Sequence, residues 1–237
     1  MKRIESIDVA RGFNIILMII FNYSVTLAYF GVLPTTSNYL YWFVFPRLIA
    51  GAFIFLSGMA AFASYSSNSV SFSERYFTRG LRLTVFALLI TAFTYVFVPE
   101  RAILFGILHF FALTSFIVPF FIKYERLNMA LGLLLIISGA YISQLESPDP
   151  SLLWLGLPPA GMSTFDYFPL LPWLGVLLLG VYPGKFLLNT ASSIHFGSRA
   201  AGLAGLLGAS GKHSLLIYLI HQPVLVLVLL AAGYRFG

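Results

Sequence analysis

Apolar residues run along this chain in long blocks, and polar residues gather between them. Seven blocks stand out, at about 9–30, 40–64, 81–98, 103–122, 128–145, 168–188 and 213–232. Each approaches the ~20 residues a helix needs to cross hydrocarbon, and none shows the ~10-residue alternation of a barrel strand. The pattern predicts an all-α fold: a polytopic membrane helix bundle of about seven transmembrane helices in one domain over residues 1–237. Pro99-Glu100-Arg101 leaves room only for a tight turn, so the third and fourth blocks are expected to form an antiparallel hairpin. Residues 146–168 are rich in Pro and Gly yet carry Leu152, Leu153, Trp154, Leu155 and Leu157. That mixture predicts a short interfacial or re-entrant segment. The Gly- and Ala-rich stretch 190–211, with His195, reads as a cytoplasmic amphipathic helix too short to span.

Composition strengthens this picture. Hydrophobic residues make up 59% and charged residues 9% of the 237, with a mean hydropathy of +0.91; soluble domains carry about 25% charged residues. The absence of cysteine excludes disulfides, thiol catalysis and zinc–thiolate sites, and no metal cofactor is expected. The net charge of +6 reports membrane topology and not nucleic-acid binding, because the basic residues sit between the apolar blocks. Lys2, Arg3, Arg75, Arg79, Arg82, Lys123, Arg126, Lys185, Arg199 and Lys212 share one side if the blocks alternate; Arg47, Arg101 and Arg235 fall on the other. Positive-inside bias then places the N-terminus in the cytoplasm and the C-terminus outside, in a multi-pass protein of the cell membrane whose first partner is the lipid bilayer. With Asp8, Arg11 and Asn22 around its apolar core and no small-x-small site in register, the first block is expected to stay as a span and not to be cleaved.

Several polar residues interrupt the spans, and each has a bland and a functional reading. Asp8 and Arg11 lie one turn apart on one helix face, either as an interfacial pair or as an anion site with Asp8 holding the Arg11 fork. Asn22, roughly 16 Å further along the axis, is either interhelical glue or a catalytic amide. His109 stands in ILFGILHFFALTS, expected about two turns inside the outer end of the fourth span, where an imidazole is either a packing partner or a base. His221 lies near mid-depth of the seventh span, followed by Gln222 and by Pro223, which frees a backbone carbonyl. Arg47 and Asp166 share an outward position with His109 and suggest a second polar cluster. His195 and His213 read as solvated, and Met18, Met59, Met129 and Met162 as packing.

The stretches IDVARGFNIILMIIFNY, FVFPRLIAGAFIFLSGMA, FTRGLRL, ILFGILHF, DYFPLLPWLGVLLLG and GKHSLLIYLIHQPVL occur in that order. Together they resemble the prokaryotic branch of the heparan-alpha-glucosaminide N-acetyltransferase catalytic-domain family, formerly a domain of unknown function, within the wider transmembrane acyltransferases. The resemblance runs from about residue 3 to 229. It implies a helical bundle with a tunnel, acetyl-CoA as co-substrate entering from the cytoplasm, and an amine or hydroxyl of a sugar or lipid-linked acceptor approaching from the other side. Relatives often place a catalytic His eleven residues after the Arg matched here by Arg11, and that position holds Asn22. The lysosomal enzyme carries its His some eleven residues further on, where this chain has Leu33, and no His occurs between residues 1 and 108.

Acyl transfer from a thioester needs a base, an oxyanion donor and a handle for the CoA phosphates. His109 is expected as the base by depth and side, with His221 as a second base or structural partner and Asn22 as the amide donor. Arg11, Asp8, Arg79 and Arg82 are the expected acyl-CoA site, and Arg47, Asp166 and Trp173 the expected acceptor site. Two other readings use the same residues: a small-molecule transporter, against which the lack of matched halves weighs, and a non-catalytic assembly protein of an envelope-sugar pathway. A homodimer is compatible with each. The topology itself is testable: a reporter fused after Lys123 should read as cytoplasmic, and one fused after Ser147 as external.

Overall fold

The computed structural model describes residues 4–34, 38–145, 147, 149–190 and 198–234, with backbone alone at 189–190 and 198–201. Lys2, Arg3, Glu146, His195 and Arg235 lie outside the described residues. Eight α-helices follow in order among those described: α1 Glu5–Tyr29, α2 Phe45–Ser67, α3 Phe72–Phe97, α4 Ile107–Phe121, α5 Glu125–Ile142, α6 Leu170–Thr190, α7 Ser198–Lys212 and α8 Ser214–Ala231. A π-helical turn, Leu40–Val44, leads directly into α2. Among the described residues six helices are long and apolar enough to cross a membrane: α1, the π-turn with α2, α3, α5, α6 and α8. α4 is apolar but shorter.

The burial pattern suits a lipid solvent. On α3 the buried residues Phe72, Tyr76, Gly80, Leu83 and Ala87 form one stripe. Leu81, Val85, Leu88, Leu89 and Phe93 stand exposed around the remainder. Asn14, Thr26, Thr114, Ser115, Asn128 and His221 are buried meanwhile. This polar-in, apolar-out arrangement satisfies polar groups internally because hydrocarbon cannot.

Helix ends follow local chemistry. α1 and α8 each end in a Schellman motif, with Gly31 at φ +70° and Gly233 at φ +91° in the left-handed region. Val32 N–H donates to the Leu27 carbonyl at 2.8 Å, and Tyr234 N–H to that of Leu229 at 3.1 Å. α3 begins nine residues before the expected start of its span, so Glu74, Arg75, Arg79 and Arg82 lie on the helix and not in a loop. The buried stripe continues through this stretch, with Phe72 and Tyr76 before FTRGLRL and Gly80 and Leu83 within it. α4 instead starts four residues late. Residues before it are extended: Phe105 pairs with Tyr167 in an isolated parallel bridge, and Phe168 N–H donates to the Phe105 carbonyl at 3.0 Å.

The chain divides into two compact units, and it passes from one to the other within α2 and again within α6. The terminal unit comprises Arg3–Leu56 and Leu188–Gly237. In it α1 packs against α7 and α8. Backbone meets backbone where α1 crosses α7: a Cβ on Gly12 would strike the Leu207 carbonyl, and one on Gly211 the Asp8 carbonyl. The expected amphipathic helix is thus present over Ser198–Lys212 and docks on the first turns of α1.

The middle unit, Ser57–Leu187, is built around α6. α6 proper starts after Leu171, which is extended (φ -100°, ψ 130°) as the residue before Pro172 should be. Small residues let α5 approach it closely, Gly132 facing the Gly175 carbonyl and Gly139 facing Pro172. Gly58 and Gly184 do the same between α2 and α6, against Leu177 and Met59. The loop 149–168 folds back as a pinned segment: Tyr167 Oη donates to the Leu153 carbonyl at 2.8 Å. Burial pushes the Tyr167 phenol up to about 12, so it remains a donor. A methyl on Gly175 would sit 2.5 Å from the Gly132 carbonyl oxygen. Gly175→Ala should therefore lower the thermal midpoint in detergent, at roughly 1–3 kcal/mol, while Gly202→Ala, with nothing within 4 Å, should not.

Candidate functional site

α1 carries polar residues at 14, 22, 23, 24 and 26, and the terminal unit meets each with a partner. Asn14, 5% exposed, donates Nδ2 to the Ile49 carbonyl on α2 at 2.8 Å. Ser24 donates to the Phe21 carbonyl at 2.7 Å, so its oxygen must accept from the Tyr41 hydroxyl at 2.6 Å. The Phe21 ring lies 5.8–6.2 Å from those of Tyr41, Trp42 and Phe45, which ties the π-turn to α1.

The central contact is between Asn22 and His221. Asn22 Nδ2 stands 3.2 Å from His221 Nε2. The other ring nitrogen, Nδ1, faces the carbonyls of Tyr218 at 2.8 Å and Ile217 at 3.1 Å. Carbonyls only accept, so Nδ1 carries the proton and Nε2 is the bare nitrogen that accepts from Asn22. His221 is 8% exposed, with the Tyr23 ring stacked on it at 6.2 Å and 18°. Tyr23 Oη also donates to the His221 carbonyl at 3.4 Å. Gln222 Nε2 donates to Thr26 Oγ1, which donates in turn to the Asn22 carbonyl at 3.0 Å.

Arg11 lies in the same unit, its guanidinium 6.0 Å from the centre of the Phe53 ring. The expected Asp8–Arg11 ion pair does not form: the one ion pair among the described residues is Lys185–Glu125 at 2.8 Å. Asp8 Oδ2 is instead buried without a hydrogen-bond partner among them. Spacing put the two on one face, but helical proximity alone does not bring the carboxylate and guanidinium within ion-pair distance. Arg47 is exposed on α2, donating to the Phe43 carbonyl at 2.9 Å with its guanidinium 3.4 Å over the Phe43 ring.

The middle unit holds the other candidates. His109 is the third residue of α4, in the first turn and not two turns in. Its Nδ1 accepts from the N-cap Gly106 N–H at 3.2 Å, so Nε2 carries the proton and donates to Thr91 Oγ1 at 3.1 Å. Thr91 passes its own proton to the Ile103 carbonyl at 2.6 Å. Asp166 Oδ2 accepts from the next amide, Ile107 N–H, at 2.8 Å. Asp166 and His109 thus meet at the α4 N-terminus, where a carboxylate also opposes the helix dipole. Arg47 belongs to the other unit.

Arg79 has its guanidinium 5.2 Å from the Tyr76 ring centre and 5.9 Å from that of Phe111. It lines a cavity of about 10 Å³ with Ser57, Thr114 and Ser115, near the lower limit for one water. Arg82 is exposed, and Trp173 is half-buried 5.1 Å from Phe168.

Several residues that matter here carried readable signals. Asn14, Asn22 and Thr26 fall at spacings of eight and four, one face of α1. Arg75 looked like a topology charge, yet its guanidinium donates to the carbonyls of Ser64 at 3.1 Å and Asn68 at 3.0 Å, capping α2. Asn128, fully buried, caps α4 by donating to the Phe121 carbonyl at 2.9 Å.

A membrane-embedded helical protein with a buried imidazole–amide pair is the class these features define. The family described as heparan-alpha-glucosaminide N-acetyltransferase, catalytic, matches residues 3–223, and the chain belongs to it. That membership points to membrane acyltransferase chemistry. A search of curated proteins and a search of solved structures each returned no match. The caps on α4 give a stability test: Asp166→Ala and His109→Ala should each cost about 1 kcal/mol of folding free energy, as loss of an N-cap does, read by thermal unfolding in detergent.

Proposed function

We propose that the chain transfers an acetyl or similar acyl group from cytoplasmic acyl-CoA to an amine or hydroxyl of a sugar or lipid headgroup on the outer side. The observation that carries this reading is the bare Nε2 of His221 beside the Asn22 amide. Backbone carbonyls hold Nδ1–H in place, which leaves a single basic nitrogen, fixed in tautomer and direction. His109 has both nitrogens engaged in holding α4, so the base is assigned to His221.

The acceptor's N–H or O–H takes the place of the Asn22 amide at Nε2 and gives up its proton there as the nucleophile attacks the thioester carbonyl. The displaced amide then donates to the oxygen on which negative charge gathers. Collapse of the tetrahedral intermediate breaks the C–S bond, and the imidazolium returns its proton to the departing CoA thiolate. Arg11 sits eleven residues before Asn22, about 16 Å along the helix, a separation comparable with an extended pantetheine arm. Its guanidinium is assigned to the CoA phosphates. Arg79 and Arg82 on α3 are further candidates for that anion. Arg47, Asp166 and Trp173 remain candidates for the acceptor.

The test uses purified chain in nanodiscs with acetyl-CoA and glucosamine. Because the chain has no cysteine, a thiol reagent reads released CoA alone. His221→Ala and Asn22→Ala should lower turnover by about 10²-fold or more, while His109→Gln should retain it. Full turnover in His221→Ala would exclude this base.

A further inference from the structure

We infer that Thr26 and Gln222 are a positioning pair that fixes the Asn22–His221 couple in register and so sets the rate of transfer without contributing to acyl-CoA binding. The inference rests on the catalytic reading of that couple.

Hydroxyl bookkeeping comes first. Thr26 Oγ1 has one proton and gives it to the Asn22 carbonyl at 3.0 Å. The contact with Gln222 must then run from the Gln222 Nε2 amide to the Thr26 oxygen. This orients the Gln222 amide, and its oxygen is left buried without a donor among the described residues. Thr26 is itself 5% exposed.

An unmet buried amide oxygen is costly, and an apolar side chain of the same volume at position 222 would avoid it. Folding stability therefore does not account for Gln222. Register does. The contacts close a ring: Asn22 side chain to His221 ring, one peptide unit to Gln222, its amide to Thr26, and the Thr26 hydroxyl back to the Asn22 carbonyl. Two links one helical turn apart on α1 resist both rotation of α8 and sliding along α1, where a single link would act as a pivot. The next residue, Pro223, lacks an N–H and leaves the Leu219 carbonyl without its helical donor. Lateral support is supplied at the point where α8 is weakest along its own axis.

The test is steady-state kinetics of the full chain in nanodiscs, following CoA thiol release from acetyl-CoA with glucosamine as acceptor. Thr26→Val keeps the shape and removes the hydroxyl; Gln222→Met keeps the length and removes the amide. Each should lower kcat roughly 10–100-fold, with KM for acetyl-CoA within about twofold of the parent chain. The double variant should be no slower than the slower single one, since both break the same ring. Thr26→Ser, which keeps the hydroxyl, should recover most of the rate. If kcat is unchanged in Thr26→Val and Gln222→Met while His221→Ala is inactive, the positioning role is wrong and the catalytic reading stands. If Thr26→Ser fails to recover the rate, or the losses follow a fall in thermal midpoint, the pair is merely structural. Full turnover in His221→Ala would remove both.

Discussion

Hydrocarbon offers no hydrogen bonds, so a polar side chain inside a membrane span must find its partner in the protein. In this chain that requirement is met largely by backbone carbonyls. Asn14 reaches Ile49, Asn128 reaches Phe121, Arg75 reaches Ser64 and Asn68, and Tyr23 reaches the His221 carbonyl. Helix carbonyls already accept one bond and have a second lone pair to offer, so they can serve these donors without breaking the helix. Glycine-lined crossings such as Gly132 with Gly175 bring the backbones of neighbouring helices into close contact.

His109, half-buried, and His221, buried, show how far the same constraint reaches into chemistry. His109 occupies the first turn of α4, where the nearest unmatched groups are N–H donors, and it must present a lone pair at Nδ1. His221 lies inside α8, where Nδ1 meets the carbonyls one turn back, and it must present a proton there. Position along a helix thus selects the tautomer and decides which nitrogen is left over. At His109 the remaining nitrogen is tied to Thr91; at His221 it faces the Asn22 amide.

Much of the fold could be read from the sequence because long apolar blocks are a one-dimensional signal. The spans, the hairpin of α3 and α4 and the extra helix before α8 all followed from it. Boundaries were less readable where tertiary pairing competes: α4 starts at Ile107 because residues 103–106 are drawn into extended pairing with the 165–168 segment. The candidate site was half-visible. Asn22 and His221 were each conspicuous as polar groups in apolar runs, but no local pattern links residues 199 apart. Asp8 and Arg11 show the opposite failure, since sharing a helical face did not yield an ion pair.

That separation bears on how the chain is made. Asn22 and Thr26 are synthesised with α1, and their partners His221 and Gln222 follow 199 and 196 residues later. Gly12 likewise waits for Leu207, and Asp8 for Gly211. Until α8 is made, the Asn22 side chain therefore waits for its imidazole, while Asn14 and Ser24 meet earlier partners in Ile49 and Tyr41. Such late, non-local closure is slow by nature. It makes arrival of α7 and α8 the step that completes both the packing of the first helix and the Asn22–His221 pair, so a chain truncated before α8 would lose one span and leave the Asn22 amide without its imidazole partner.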